Sequence, residues 1–411
     1  MKTLLAALLA LTPTLAAASG YEFEGVGAQE VSRAGAATAS VDDWTAIYWN
    51  PAALTRATAR GREEGLEVFG GKAYGYDSDS LSKLPGVGPI FKDDAIQSPF
   101  ILGAAGAALP LGKRLALGFG AYTPLLQGFK FYDVAPNSSA TELRASASAG
   151  IVTSNVSLAW KVLPQLSLGA GLDVLYGEIA SDTVLTNPTG TLALYGSRIA
   201  SHQRGQGAAP EGVVSLLWDA TDALSLGSTF RTGADIRLRG DATASSPNAG
   251  AESSRFTFFL RHPPTWDVGL AWKSAPSMTL SVDLHQTYWH RFSNEFQYDK
   301  QGNLLKDSAD SFQWHDAWKL RAGLDWRADA KDDFEVGYSH DTWAVDPGSV
   351  DITTTLDVDM NRFSGGWSRR WSRLVETTVG AIGGSGTRTG PGGVRWSVSG
   401  FQGMGEMRFH I

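Results

Sequence analysis

Residues 318–327, WKLRAGLDWR, alternate strictly between apolar and polar side chains. The apolar parity consists of Trp318, Leu320, Ala322, Leu324 and Trp326. The other parity consists of Lys319, Arg321, Gly323, Asp325 and Arg327. Because successive side chains of a β-strand point to opposite faces, this pattern predicts a strand with one apolar face. The two tryptophans flank an aliphatic centre, as the aromatic belts of membrane barrels do, so the stretch predicts a strand that crosses a bilayer.

Three further stretches, 165–178, 223–240 and 277–292, show the same alternation. The stretch 223–240 is predicted to be one unbroken strand. A soluble β-sandwich also alternates, so the pattern alone leaves both folds open. These stretches are longer than the roughly 5 to 6 residues usual in globular proteins, and they reach the ~9 to 11 residues that a tilted membrane strand needs. Their length therefore favours a membrane β-barrel.

The whole chain divides into fourteen such strands, an even number, as bacterial single-chain barrels have. Residues 253–273 and 276–298 are predicted to be single long strands. Short turns such as residues 328–330 alternate with long connections, of which residues 181–208 are the longest. Outer-membrane barrels have short periplasmic turns and long external loops. We therefore predict an all-β fold, a 14-stranded antiparallel transmembrane β-barrel over residues 61–411.

Residues 1–19 have the features of a secretory signal peptide. Lys2 precedes an apolar run from Leu4 to Leu15, and small residues follow at the expected cleavage site. No later stretch approaches the roughly 18 consecutive apolar residues of a membrane helix. An exported chain of this kind is either soluble or a membrane barrel, and the alternation favours a barrel in the outer membrane.

The composition excludes some kinds of site and gives no support to others. It has 411 residues, a net charge of -7 and no cysteine, which excludes disulfides and thiolate metal sites. The mildly acidic balance gives no reason to expect a nucleic-acid partner. Seven histidines lie without zinc-ligand spacing, so we predict no metal site, no cofactor and no catalytic residues. An outer-membrane lipid hydrolase stays open as an alternative, because His285 could face a serine such as Ser281.

Residues 20–57 precede the first predicted strand and indicate a small, partly helical unit. Asn50 can accept a hydrogen bond from a free backbone N–H, and Pro51 has the φ angle of a first helical residue. Asp42 and Asp43 are predicted to repeat this cap eight residues earlier. Short helices are marginal alone in water, so the unit needs a receptacle. We therefore predict that residues up to 60 form a plug in the barrel.

This segment resembles the hatch of the FadL family of outer-membrane channels for long-chain fatty acids and other hydrophobic compounds. The resemblance rests on Gly20-Tyr21 at the expected mature N-terminus and on Asp42-Asp43 followed by Asn50-Pro51-Ala52. It extends over most of the mature chain, and residues 263–341 are among its most specific parts. The last residue, Ile411, departs from the Phe that usually ends the signal for the barrel-assembly machinery.

The resemblance implies a passive outer-membrane channel for hydrophobic small molecules, foremost long-chain fatty acids, with aromatic hydrocarbons as a further cargo class. It implies that the mature N-terminus reaches the ligand, so Tyr21 and Phe23 are ligand-binding candidates. It also implies lateral release beside a kinked strand, where Gly118, Gly120 and Pro124 could form the kink. The expected partners besides the cargo are outer-membrane lipid and the barrel-assembly machinery, and the expected state is a monomer.

The polar parity of the strands is predicted to place arginines inside the barrel. Arg231, Arg237 and Arg321 are ligand-binding candidates, because a guanidinium group offers a fork of donors to a carboxylate. The remaining charged residues of this parity are Arg239, Arg291, Lys319, Arg327, Asp235, Asp283 and Asp325. A solvated lumen whose charges pair with one another is the alternative interpretation. A general porin for polar solutes is the alternative function, although a porin would not carry a plug of about forty residues.

Overall fold

The computed structural model describes residues 24–75, 96–134, 142–186, 197–309, 313–346, 357–389 and 395–411. These residues form one antiparallel sheet of 18 strands. The strands are β1 (Glu63–Gly75), β2 (Ile96–Pro110), β3 (Leu115–Val134), β4 (Glu142–Leu163), β5 (Leu166–Thr186), β6 (Arg198–Asp219), β7 (Leu224–Arg231), β8 (Ala234–Ser246), β9 (Gly250–His262), β10 (Thr265–Ala275), β11 (Met278–Thr287), β12 (Ser293–Tyr298), β13 (Ser308–Ala309), β14 (Ala317–Arg327), β15 (Asp332–Asp341), β16 (Asp359–Arg370), β17 (Val375–Thr389) and β18 (Arg395–His410).

The sheet closes on itself, because β1 pairs with both β2 and β18. Backbone hydrogen bonds between Arg62 and Ile411, of 3.0 and 2.8 Å, extend the β1–β18 seam to the chain terminus. The strands β8, β9 and β12 continue β7, β10 and β11 beyond breaks, and β13 pairs only with β12. Fourteen strands therefore make the barrel wall, and the predicted fold is confirmed.

The outer surface carries an apolar belt between two aromatic rims. We call the end with the short turns, such as residues 164–165, the lower end. The lower rim consists of the exposed rings of Trp160, Trp218, Trp272, Trp326 and Trp367. The upper rim consists of Tyr176, Phe230, Trp266 and Trp318. From Trp318 to Trp326 the strand rises by about 26 Å along its axis, which suits a tilted strand in a bilayer.

Three strands that the sequence predicts as continuous are broken at one height. Gly233, with φ 71°, separates β7 from β8. Pro263 and Pro264 separate β9 from β10, because neither has an N–H for the ladder. A 3-10 turn at Trp289–Arg291 separates β11 from β12. The pairing of Ala234 with His262 places the first two breaks side by side.

The break at Gly233 reverses which face of the strand points inward. Arg231 and Ala234 both face the interior although they are three residues apart, so the alternation changes phase between them. Ile236 and Leu238 are consequently buried at 1% and 2% exposure. The exposed charged residues of β8 are Asp235, Arg237 and Arg239. The prediction that these three face the lumen is therefore wrong, and Arg291 and Arg327 are also exposed.

The long connection predicted over residues 181–208 is also wrong. The structure extends β5 to Thr186 and begins β6 at Arg198, and the two strands pair over their whole length. Both strands therefore continue about ten residues above the upper rim residue Tyr176. Residues 187–196 lie outside the described part of the chain.

Short helical turns precede β1, and we call residues 24–61 the plug segment. Its elements are α1 (Ala28–Ser32), α2 (Ala46–Trp49), a 3-10 turn (Pro51–Ala53), α3 (Leu54–Ala57) and a second 3-10 turn (Thr58–Arg60). Across the described ranges, no helix is both long and apolar enough to cross a membrane. The predicted signal peptide, Tyr21 and Phe23 lie outside the described residues.

Candidate functional site

The plug segment is packed inside the barrel. Trp44, Ile47 and Leu54 are fully buried, and they share one apolar core with inward-facing wall residues such as Ala108 and Tyr122. Because short helices are marginal alone, this burial against the wall is what holds them folded. The lower half of the lumen is therefore filled by the protein itself.

The cap predicted at Asn50 is present. Its side chain accepts a hydrogen bond from Ala52 N at 3.1 Å, and Pro51 follows at the first helical position. The same amide group donates to Thr38 O at 2.7 Å and to Leu216 O on β6 at 3.0 Å. Asn50 therefore joins the turn, the preceding plug backbone and the barrel wall.

The second predicted cap, at Asp42 and Asp43, takes a different form. Thr45 precedes α2 and makes no side-chain cap, and Asp42 is exposed. Asp43 accepts a hydrogen bond from Thr45 N at 2.8 Å and pairs with Arg408 of β18 at 2.7 Å. Asp43 therefore fastens the turn before α2 to the wall instead of capping the helix itself.

Wall glycines allow the side chains and backbone of the plug to lie against the barrel. A Cβ atom on Gly65 would lie 1.8 Å from Trp44 Nε1. A Cβ atom on Gly169 would lie 2.3 Å from Ala52 N. Both distances are far below van der Waals contact, so any side chain at these positions would displace the plug.

A cluster of buried carboxylates joins α1 to the wall. Glu67 accepts a hydrogen bond from Gly27 N at 2.9 Å, and Glu406 accepts from Ala28 N at 3.1 Å and from Trp44 Nε1 at 2.7 Å. Burial, reinforced by the nearby Asp43 carboxylate, raises the pKa of Glu30 well above its usual range.

The carboxylate oxygens of Glu30, Asp43 and Glu406 lie within 4.8 Å of one another. Such a set could hold a cation. Two arginines already occupy it, because Arg33 pairs with Glu30 at 2.8 Å and Arg408 pairs with Asp43 at 2.7 Å. The cluster is therefore an ion-pair network that holds the plug.

A polar layer lies directly above the plug and is centred on Arg231. This guanidinium group pairs with Asp173 and lies 3.6 Å from Glu211. It also donates to the backbone oxygen of Tyr48 and lies 5.3 Å from the centre of that ring. Tyr122 donates to Asp173 at 3.3 Å. Arg231 is thus held by two acids of the wall and by the plug.

Arg321 occupies a similar position on the other side of the plug. Its guanidinium group lies 5.5 Å from the Trp49 ring and 3.4 Å from Asp267. Asp267 also contacts His285 at 2.8 Å. The Tyr48 and Trp49 rings pack edge to face at 4.8 Å, so the two arginines flank one aromatic pair of the plug.

The third candidate, Arg237, is not part of this arrangement. It is exposed on the outer surface, with its guanidinium group 5.8 Å from the Phe259 ring. The structure therefore brings together Arg231 and Arg321 but not Arg237. Within the described lumen the charges pair with one another, as the alternative interpretation of the sequence had it.

Above the polar layer the inner wall becomes apolar. We call this surface the upper apolar cluster. Its buried residues, contributed by β5, β6, β8, β9 and β12, are Leu175, Ile179, Ile199, Ile236, Leu238, Ala242, Ala244, Phe256, Phe258 and Phe296. Phe258 and Phe296 lie 4.3 Å apart, and Phe256 and Phe296 lie 5.4 Å apart. This surface is not predicted from the sequence when the alternation of β7 is extended unchanged through Gly233.

The wall has a partial seam between β2 and β3. These strands pair from Pro110↔Ala116 to Ala105↔Ala121, although β2 begins at Ile96 and β3 continues to Val134. Above the pairing, β3 shifts its register against β4 between Tyr122 and Leu125. The shift includes Pro124, which has no N–H for a ladder hydrogen bond. Of the three residues predicted to form the kink, only Pro124 lies at this shift, whereas Gly118 and Gly120 pair in regular register with Ala108 and Gly106 of β2.

A closed barrel with an outer apolar belt and a segment packed inside it defines the class of outer-membrane β-barrel proteins. Residues 9–380 match the family described as outer membrane protein transport protein (OMPP1/FadL/TodX), and the chain belongs to this family. It is therefore an outer-membrane β-barrel of a family of transporters of hydrophobic compounds, not of enzymes.

Solved structures have the same fold. A Pseudomonas aeruginosa FadL homologue superposes with a TM-score of 0.78 at 15% identity, covering 95% of this chain and 99% of that one. The P. putida toluene transporter TodX gives 0.73 at 15%, covering 94% and 99%. The Ralstonia pickettii toluene transporter TbuX gives 0.73 at 16%, again covering 94% and 99%. No curated protein sequence matches the chain.

Proposed function

We propose that this protein is a passive uptake channel in which residues 20–60 act as a hatch and hydrophobic cargo enters through the upper apolar cluster. The observation that carries the proposal is the change of lining along the inner face of β5. Gly169 touches the plug, Asp173 belongs to the polar layer, and Leu175 and Ile179 belong to the apolar cluster. An apolar molecule is stabilised in the upper apolar cluster, and the polar layer and the plug stop it from moving further down the barrel.

The proposed exit is lateral. Tyr122, at the base of the seam between β2 and β3, packs against Tyr48 of the plug at 5.2 Å. A small movement of Tyr48 would connect the apolar interior with the seam, and beyond the seam lies the hydrocarbon of the membrane. Cargo that leaves there never crosses water, so no energy source is needed.

The sequence predicts long-chain fatty acids as the cargo, bound through an arginine. In the structure Arg231 already faces two carboxylates, Asp173 and Glu211, so the local formal charge is negative. Arg321 is likewise paired with Asp267. A fatty-acid anion would have to displace one of these partners. We therefore propose that the channel selects hydrophobic surface and not a carboxylate, which admits aromatic hydrocarbons such as the toluene named for TodX and TbuX as well as fatty acids.

The test compares palmitate, hexadecanol and toluene in uptake by asymmetric vesicles with a lipopolysaccharide outer leaflet, with and without the purified protein, because plain phospholipid vesicles take up such solutes directly. An arginine–carboxylate contact would favour palmitate over hexadecanol by roughly ten- to a hundredfold. We expect the two to be taken up at similar rates, with toluene transported as well. A strong preference for palmitate that disappears in Arg231→Gln would contradict the proposed selectivity. No protein-dependent uptake of any of the three would contradict the channel itself.

A further inference from the structure

Four exposed arginines lie together on the outer wall above the membrane belt. We call Arg204 on β6, Arg237 and Arg239 on β8, and Arg255 on β9 the arginine face. Their neighbour Arg261 is neutralised by Asp235 at 2.9 Å. Among the residues that the structure describes, none of the four arginines of the face makes an ion pair. Unpaired guanidinium groups at one place are the usual means of holding phosphate.

The strand register arranges these residues around Arg239. Arg239 lies directly opposite Gln206 on one side and Thr257 on the other. Arg204 is two residues from Gln206 on β6, and Arg255 is two residues from Thr257 on β9. Arg237 is two residues from Arg239 on β8. Cross-strand diagonals of this kind span ~7 to 8 Å, which long arginine side chains bridge easily. The face therefore offers guanidinium groups from three strands to one group of phosphate size.

The height of the arginine face is that of a lipid headgroup. The upper rim residue Tyr176 donates to Gln206, which lies directly opposite Arg239. On β5 and β6 the exposed outward side chains directly below this row are apolar, as Val174 and Ala208 are. On β8 the charged residues Asp235 and Arg237 lie between this row and the break at Gly233. Aromatic rims mark the boundary between hydrocarbon and headgroups, so Arg239 lies where headgroup phosphates lie.

The face is also basic in an acidic protein. On β8 and the adjoining parts of β6 and β9, the outward side chains include five arginines against two aspartates, a local charge of +3. The whole chain carries a net charge of -7. Asp241 lies directly opposite both Arg204 and Arg255 and offsets part of their charge. The excess positive charge is therefore concentrated at Arg237 and Arg239. This complementarity favours an anionic headgroup over a zwitterionic one.

We propose that the arginine face binds the phosphate groups of a phosphorylated lipid in the outer leaflet of the membrane. The bound lipid would anchor the part of the wall formed by β8 and β9, whose inner surface carries Leu238 and Phe256 of the upper apolar cluster. The lipid site is distinct from the transport route, because it lies on the opposite face of the same strands. It does not depend on which cargo the channel carries.

Native mass spectrometry of the detergent-purified protein with bisphosphorylated lipid A tests the proposal. The four-site variant Arg204→Gln, Arg237→Gln, Arg239→Gln and Arg255→Gln should bind about tenfold less lipid than wild type, and Arg239→Gln alone should fall between them. The matched control removes four exposed basic residues at the lower end: Lys113→Gln, Arg114→Gln, Lys273→Gln and Arg373→Gln. This control should bind as wild type does, and lipid A without phosphates should bind weakly to all proteins.

The proposal is overturned if the four-site variant and Arg239→Gln both retain wild-type binding of bisphosphorylated lipid A. It is also overturned if the lower-end control loses as much binding, since the effect would then be one of net charge alone. Equal binding of dephosphorylated lipid A would remove the role of phosphate. Complete competition by inorganic phosphate at the same concentration would identify a site for small anions instead of a lipid site. Heat-modified gel mobility confirms that each variant has a folded barrel.

Discussion

Gly169→Ala adds one methyl group at the tightest contact between β5 and the backbone of the plug. The new Cβ would lie 2.3 Å from Ala52 N and 2.6 Å from the carbonyl carbon of Pro51, where ordinary contact begins at 3.4 Å. The plug must therefore retreat by about 1 Å. Overpacking of this kind costs about 1 to 3 kcal/mol. Loss of the 2.8 Å bond from Ala52 N to Ser215 adds about 0.5 to 1.5 kcal/mol.

The cost falls on the seating of the plug and not on the barrel, because alanine is at least as compatible with a strand as glycine. A total of about 1.5 to 4.5 kcal/mol raises the opening equilibrium of the plug by roughly ten- to a thousandfold. Hydrogen exchange of peptides from residues 24–61, followed by mass spectrometry, measures this opening directly. Peptides from the barrel strands should keep their wild-type protection.

Gly405→Ala is the matched control, because a Cβ at Gly405 on β18 meets no atom within 4 Å. It should leave plug exchange unchanged. Wild-type plug protection in Gly169→Ala would show that the plug does not lie against Gly169 as it does in the structure.

Three other changes probe the same construction. Asn50→Ala removes the cap and two donated bonds, and plug protection should fall by about 1.5 to 5 kcal/mol, whereas Asn303→Ala on an exposed loop should have no effect. Because burial raises the pKa of Glu30, its contribution to plug stability is complete below its ordinary value of 4.5 and is lost as pH rises through the raised value. Plug exchange should accordingly speed up with pH, after correction for intrinsic exchange, and Glu30→Gln should flatten the dependence. A dependence as steep in Glu30→Gln would point to the other buried carboxyls that accept hydrogen bonds from the start of α1, Glu67 and Glu406. Finally, a disulfide between Ala105→Cys and Ala121→Cys, the last residues that pair between β2 and β3, should hold the base of the seam closed in a chain without other cysteines and slow cargo uptake severalfold until it is reduced. Unaltered uptake by the oxidised protein would exclude the seam as the exit.

The barrel could be predicted from the sequence because the face of each strand that contacts lipid must be apolar. Trp318 and Trp326 mark both rims within a single strand, and Asn50 with Pro51 signals the plug turn through purely local hydrogen bonding. The orientation of the side chains above the membrane could not be predicted in this way, because the outer face there does not contact lipid. At Gly233 the inward–outward alternation of the strand changes phase, so Arg237 points outward. The apolar–polar alternation of the sequence continues unchanged through Gly233 and does not indicate this change.

Ion pairs between residues far apart in the chain could not be predicted from the sequence either. Arg231 is a plausible carboxylate receptor when its own strand is considered alone. Its partners Asp173 and Glu211 lie on β5 and β6, and only the closed barrel brings all three together. The contact with Tyr48 also needs the plug in place. A paired and an unpaired arginine therefore have the same local sequence signature.

We expect the plug to close the barrel to water and ions while the protein remains a route for hydrophobic molecules. Ion conductance across planar bilayers tests it most directly, with intact protein and a variant that lacks residues 24–57 compared side by side. We expect very low conductance for the intact protein and large open steps for the deletion variant. A large, steady conductance in the intact protein would contradict it and would indicate a general porin.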